Sequence, residues 1–323
     1  MKFKVLKTKA GERVDLFLAL RLKKYSRTKI QQAIKSGVVR VDGKSINSSY
    51  KLRHRNTITI DDKFFLDSNK LAKPKAEKIA FDIIYEDKNL LVINKPAGMV
   101  VHPAAGHKTG TLVNAILNYN KKISAAVHDK SDQLSLMRPG IIHRLDKDTS
   151  GILIVAKNKK SLILLSRQLQ NKRIKKKYFA LVFGWPPESG QIESYLTRDK
   201  KNRKKITEVG DSFGKKAISI YKSEKYFAAT DGKNRVTLLE IEITTGRTHQ
   251  IRVQMKGIGF PILGDQTYYS KESRQLSKKL GVKRQMLHAE RIKFQLPKSN
   301  KFIELSAPLA NDFQKIIKHL NEI

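Results

Sequence analysis

The chain has 323 residues, 40% hydrophobic and 29% charged, enough for one large domain or for a domain plus a small module. No apolar run approaches the roughly 18 residues that a membrane-spanning helix needs, and the lack of cysteine excludes disulfides, thiolate nucleophiles and cysteine metal sites. Lysine and arginine total 66 against 29 acidic residues, a formal net charge of +37, so a polyanionic partner is expected, bound with counterion release and steep salt dependence.

From the N-terminus, apolar residues at helical spacing over 13–22 predict one helix. Ser26 stands where a second would be capped, with Ile30, Ala33 and Ile34 facing inward and Gly37 closing it. Residues 38–41 and 56–60 read as strands, with Asp42-Gly43 a turn between them. Phe17-Leu18-Ala19-Leu20 is too short, and too closely flanked by Asp15 and Arg21, for the apolar core of an export signal, so the expected location is the cytoplasm. Residues 1–65 are thus expected as a small α+β domain, 66–80 as a charged, extended linker with one proline, and 81–323 as a second domain.

In the second domain, residues 81–85 and 90–93 read as strands, Asn94-Lys95-Pro96-Ala97-Gly98 as a turn and 111–119 as a helix. Ile152-Leu153-Ile154-Val155-Ala156 is apolar throughout and reads as a buried strand, which does not explain the charge packed before it: Gly140-Ile141-Ile142-His143-Arg144-Leu145-Asp146-Lys147-Asp148-Thr149-Ser150-Gly151. A carboxylate set among cations at the mouth of a rigid strand is how a nucleophile or general base is mounted, and the same spacing also suits a surface ion pair. Residues 161–172 then read as a helix, 175–184 as a strand carrying Tyr178, and 195–214 as a basic hairpin whose Arg203 is either a phosphate clamp or a solvated tip. Residues 239–255 alternate as a strand, turn through polar residues and enter a helix, and a short helix closes the chain after Pro308.

His143-Arg144-Leu145-Asp146-Lys147-Asp148-Thr149-Ser150-Gly151 resembles the signature of the RluA-type pseudouridine synthases. The Asn94-Lys95-Pro96-Ala97-Gly98 turn, the strand with Lys176, Tyr178 and Ala180, and Gly246-Arg247-Thr248-His249-Gln250-Ile251-Arg252 resemble further elements of that family. Arg13-Val14-Asp15, Ser26-Arg27 and Gly37-Val38-Val39-Arg40-Val41-Asp42-Gly43 are similar to the S4 RNA-binding module, although His54-Arg55-Asn56 replaces its usual Gly-Asp turn. The resemblance implies an α+β pseudouridine synthase fold, a mixed and largely antiparallel central sheet with the cleft across it, preceded by a small S4-like domain.

The implied reaction breaks the bond from uracil N1 to ribose C1′ and joins C5 to C1′, with no cofactor and no metal. Asp146 would be the reacting carboxylate, serving at C1′ or C6 or stabilising an oxocarbenium-like centre. Arg252 would position it, and Tyr178 would stack on the base and take the C5 proton. Arg144 would fill the space of the extruded uridine, with His143, Arg203 and Arg247 as further RNA contacts and Arg27, Lys29, Lys35 and Arg40 offered by the S4 module. Motif order is closest to the D-type branch, which implies large-subunit ribosomal RNA as partner and a monomeric enzyme. Gln254 stands where the family commonly has histidine. Two other readings fit the residues: a non-catalytic ribosome-assembly factor, and a metal-free ribonuclease using His143 and His249 as acid and base.

Overall fold

The structure, a computed structural model, describes residues 1–22, 25, 27–61, 64, 74–104, 107–120, 123, 138–199, 201–229 and 232–323. Ser26 and residues 66–73 of the expected linker lie outside the described residues. The described residues form two compact units, one within 1–74 and one from residue 75 onward.

In the first unit, β1 (Lys2–Lys4), α1 (Val14–Arg21), α2 (Arg27–Lys35), β2 (Val39–Val41), β3 (Lys44–Ser45) and β4 (Thr57–Ile60) follow in order. Helical spacing puts Val14, Phe17 and Leu18 of α1 on one face, buried with Ile30, Ala33 and Ile34 of α2. Strand alternation buries Val39 and Val41 and leaves Arg40 outside. The strands form an antiparallel sheet in the order β1-β4-β2-β3.

The second unit carries β5 (Asp82–Glu86), β6 (Leu90–Lys95), α3 (Leu112–Tyr119), β7 (Ser150–Ala156), α4 (Lys159–Gln170), β8 (Lys175–Phe183), β9 (Ser189–Arg198) and β10 (Ile206–Val209). After them come β11 (Lys215–Ala228), β12 (Arg235–Ile243), α5 (Gln250–Gly257), α6 (Lys271–Lys279), β13 (Leu287–Gln295), β14 (Phe302–Ser306), α7 (Asn311–Lys318) and β15 (Asn321–Glu322). Eleven strands share one sheet along the path β10-β9-β11-β12-β8-β13-β7-β6-β5, with β14 on β13 and β15 on β11. Every pairing is antiparallel except β13 with β7, so the sheet is mixed and largely antiparallel, as expected.

All seven residues of β7 are buried, between β6 on one edge and β13 on the other. A strand covered on both faces needs apolar side chains on both, which is why its sequence runs continuously apolar instead of alternating. The late strand β13 joins β7 to β8 and sets their register: Ala289 is opposite Gly151 on one side and Tyr178 on the other. Tyr178 therefore lies in the same row of the sheet as the end of the charged loop that precedes β7.

Candidate active site

That loop is held at both ends by glycines with positive φ, Gly140 at 73° and Gly151 at 110°. At either position a Cβ would overlap backbone, of Ala156 for Gly140 and of Ala289 for Gly151. Between them Leu145 is 4% exposed and anchors the loop in the core. Lys95 is fully buried beneath it, its Nζ donating to the carbonyls of Pro96 at 2.7 Å, Met99 at 3.0 Å and Lys147 at 3.0 Å. Burial pushes the Lys95 ammonium down to about 7, against the pull of Asp148 and Asp146 and with the help of Arg284. From the far side Arg284 Nη1 donates to the Asp148 carbonyl at 3.0 Å while its Nε and Nη2 fork onto Asp312 of α7 at 2.6 and 2.7 Å.

His288 Nε2 donates to the Ala307 carbonyl at 3.2 Å, leaving Nδ1 to accept the Ser150 hydroxyl at 2.9 Å. It is a packing residue. His143 Nε2 accepts the Ile154 backbone N–H at 3.0 Å, and burial, then the field of Lys176, lower its pKa to about 3. This leaves His143 only its Nδ1 edge for RNA or for proton transfer.

Arg252, on α5, connects two carboxylates. Its Nε and Nη2 meet Asp265 at 2.7 and 3.0 Å, and its Nη1 donates to Asp146 Oδ2 at 2.9 Å. Asp265 is fully buried and also accepts the backbone N–H groups of Thr267 and Tyr268, whereas Asp146 is 17% exposed and its Oδ1 has no hydrogen bond among the described residues. Burial works against the guanidinium charge, but Asp265 first and then Asp146 hold its pKa above the usual value.

His249 adopts a left-handed backbone (φ 55°) just before α5, which brings its Nε2 to 3.8 Å from Asp146 Oδ2. The Tyr268 hydroxyl accepts the Ile206 N–H at 2.7 Å and is hydrogen-bonded to His249 Nδ1 at 2.9 Å, which fixes the ring beside Asp146. Burial lowers the His249 pKa, in spite of Asp146, and keeps the ring neutral.

A cavity of about 440 Å³ opens beside Asp146 and His249. Asp146, Tyr178, Arg252, Arg144, His143 and Arg247 all lie on it, and Asp146 is the one carboxylate among the described lining residues. Burial, then the Asp146 charge, raise the Tyr178 pKa. Arg144 is exposed at the rim, and Arg247, also exposed, donates from Nε to the Lys216 carbonyl at 3.0 Å. His102, 5% exposed, was not singled out by sequence; its buried Nδ1 has no hydrogen-bond partner among the described residues, and burial followed by Arg138 and Arg144 lower its pKa to about 4.

Other expected RNA contacts lie elsewhere. Arg203 is in the turn between β9 and β10, where its carbonyl accepts from Arg198 at 3.1 Å, and it does not line the cavity. In the first unit, Arg40 is exposed, and Lys29 lies 5.1 Å over the Phe64 ring, its pKa lowered by burial. Arg27 is exposed and at the same time donates to buried Asp15 at 3.1 and 2.9 Å, so its guanidinium is held by the internal network of the domain at the surface. Gln254 is fully buried and fixes α5 to the sheet, accepting the Ser219 hydroxyl at 2.7 Å and donating to Ser194 Oγ at 3.0 Å and the Ala217 carbonyl at 3.1 Å. It does not line the cavity. Among the described residues no three His, Cys, Asp or Glu side chains gather as a metal site, and no helix is long and apolar enough to cross a membrane.

An uneven guanidinium bridge beneath an anion-attracting cleft, in a largely antiparallel sheet, suits an enzyme that works on RNA, and comparison with known proteins agrees. Residues 89–256 match the family model for RNA pseudouridylate synthase and residues 12–58 that for the S4 domain. An RNA pseudouridine synthase of Bacillus subtilis, YlyB, is 41% identical over 97% of this chain and 95% of its own length. Ribosomal large subunit pseudouridine synthase D of Zymomonas mobilis is 36% identical over 96% of this chain and 94% of its own. Human RNA pseudouridylate synthase domain containing 1 shares the fold, with a TM-score of 0.59 at 22% identity over 77% of this chain and 91% of its own. The chain belongs to the RNA pseudouridine synthase family, an isomerase acting on RNA with an S4 domain at its N-terminal end. A non-catalytic assembly factor is thereby set aside.

Proposed function

We propose that this enzyme isomerises uridines of large-subunit ribosomal RNA, with Asp146 as the nucleophilic carboxylate, Arg252 as its positioning partner and Tyr178 beneath the base. The relatives named for the large ribosomal subunit support the substrate. The observation that carries the site is the uneven sharing of Arg252, which holds Asp146 through one oxygen and leaves the other without a partner among the described residues. Asp146 meets the uridine at C1′ or C6, and Arg144 at the rim replaces the extruded base in its stack. RNA phosphates meet Arg247 at the cavity and Arg27, Lys29 and Arg40 of the S4 domain. Residues 1–65 form that domain, 66–80 the linker and 81–323 the catalytic domain, and a monomer suffices because Asp146, Tyr178 and Arg252 come from one chain.

Proton removal from C5 by Tyr178 needs a phenolate, which burial and the Asp146 charge both oppose. Once Asp146 is consumed in a covalent bond to the substrate its charge is gone, and one of those two causes goes with it. The tyrosine thus becomes a better base after the aspartate has reacted.

The test is carbodiimide-adduct primer extension across ribosomal RNA from cells lacking the protein, complemented with wild type or Asp146→Asn. Stops restored by the wild type alone are expected. Stops restored by Asp146→Asn would reject the carboxylate, and identical stops in every strain would reject ribosomal RNA as the substrate.

A further inference from the structure

We propose that Lys176 is a catalytic contact to the uracil ring: an ammonium on the cavity floor that holds O2 or O4 of the extruded base and stabilises the uracil anion while its bond to ribose is open. The inference rests on the assignment of the reaction to Asp146 made above.

Lys176 precedes Tyr178 by two residues on β8, so both side chains leave the same face of the sheet. They are 7% exposed each and line the same cavity. The Lys176 ammonium lies between the two loops that build the site: a Cβ on Gly246 would be 3.5 Å from Nζ, and His143 feels its charge. Its side chain makes no hydrogen bond and no ion pair among the described residues. A buried cation without a carboxylate is costly to a fold, and Met or Leu would pack better here. An ammonium that none of the described residues neutralises, open to a cavity, is suited to an anion that arrives with the substrate.

Position selects the anion. Backbone phosphates are met at the rim by Arg247 and Lys172, which are exposed. Lys176 is at the floor beside Tyr178, where the base is placed. When N1–C1′ breaks, its electron pair stays with uracil, spread over N1, O2 and O4. The ring turns, C5 bonds to C1′, the C5 proton leaves and N1 ends protonated. No other reactant enters, and the lysine gives up no proton; its charge lowers the energy of the anion between the two bonds. Burial alone brings its pKa to about 8, so the charged form still prevails at neutral pH.

The test uses the full chain, a large-subunit ribosomal RNA transcript labelled with tritium at uracil C5, and single-turnover tritium release. Lys176→Met is expected to slow the saturated rate by about 100-fold or more, to leave RNA affinity within about twofold, and to raise the melting temperature, since a methionine replaces an unpaired ammonium. Lys176→Arg should recover part of the rate. With 5-fluorouridine RNA, followed by mass spectrometry of the digested product, the Lys176→Met defect should shrink at least about tenfold, because fluorine stabilises the uracil anion by itself. A saturated rate near wild type, or a defect equal on both substrates, overturns the proposal. So does weaker RNA binding with an unchanged saturated rate and a salt slope lower by about one, which would make Lys176 a phosphate contact. Asp146→Asn run alongside separates the two assignments: turnover by that variant rejects the site as a whole, whereas an inactive Asp146→Asn with a fully active Lys176→Met rejects the lysine alone.

Discussion

In the S4 domain Arg13, Arg27 and Gln31 converge on Asp15, whose side chain is fully buried. In the catalytic domain one guanidinium, Arg252, is divided between buried Asp265 and partly exposed Asp146. The same ion-pair chemistry serves opposite ends. Three donor groups around one acid form a closed network, which locks α1 to α2. One donor group between two acids is an open network: Asp265 anchors it and Asp146 is held with an oxygen in reserve.

The largest contrast should come from making the same substitution at the two ends of Arg252. Asp265→Asn leaves a buried guanidinium short of its counter-charge and is expected to cost about 3–5 kcal/mol in urea unfolding, with activity lost as well. Asp146→Asn should cost under about 1 kcal/mol yet slow isomerisation by about 10⁴-fold, the scale of loss when a reacting carboxylate is removed. Equal stability losses would erase the distinction between anchor and reagent.

Asp15→Asn should have an intermediate effect, about 2 kcal/mol through weakened charge-assisted hydrogen bonds. It should also change the response to acid. Burial alone would raise the Asp15 pKa, but hydrogen bonds from Arg13, Gln31 and Arg27 prevail and hold it well below the usual 3.8. A depressed folded pKa means the contribution is fully present above the unfolded value and is lost as pH falls below about 3.8 toward the folded one. Hydrogen exchange at α1 and α2 amides should show this loss in the wild type and a flatter profile in the variant.

The smallest effects separate the two arginines that sequence grouped together. Arg27→Ala is expected to lower stability by about 1 kcal/mol. Arg40→Ala should leave the melting temperature unchanged and reduce the salt slope of RNA binding by about one. A salt slope lowered equally by Arg27→Ala would make Arg27 an RNA contact as well as a brace.

The elements most legible in the sequence were those whose burial is settled locally. The continuous apolar run of β7, the spacing of α1 and the alternation of β2 needed no long-range knowledge, and each is where its pattern put it. Asp146 and Arg252, 106 residues apart and within hydrogen-bond distance in the fold, could be paired only through family resemblance. Arg284 reaches Asp148 across 136 residues from a stretch with no periodicity, and nothing local marks it. Arg27 is exposed, but nothing local shows that it also pairs with the buried acid 12 residues earlier. Gln254 looked like a change in the site and is a polar clamp beneath it.

The loop bearing Asp146 is braced by Arg284, by β13 and, through Arg284, by Asp312. All of these lie more than a hundred residues after the aspartate in the chain. The carboxylate is thus aimed by contacts between parts of the chain that are remote in sequence, so local loosening of β13 or α7 would reach the site without any change to the residues that line it.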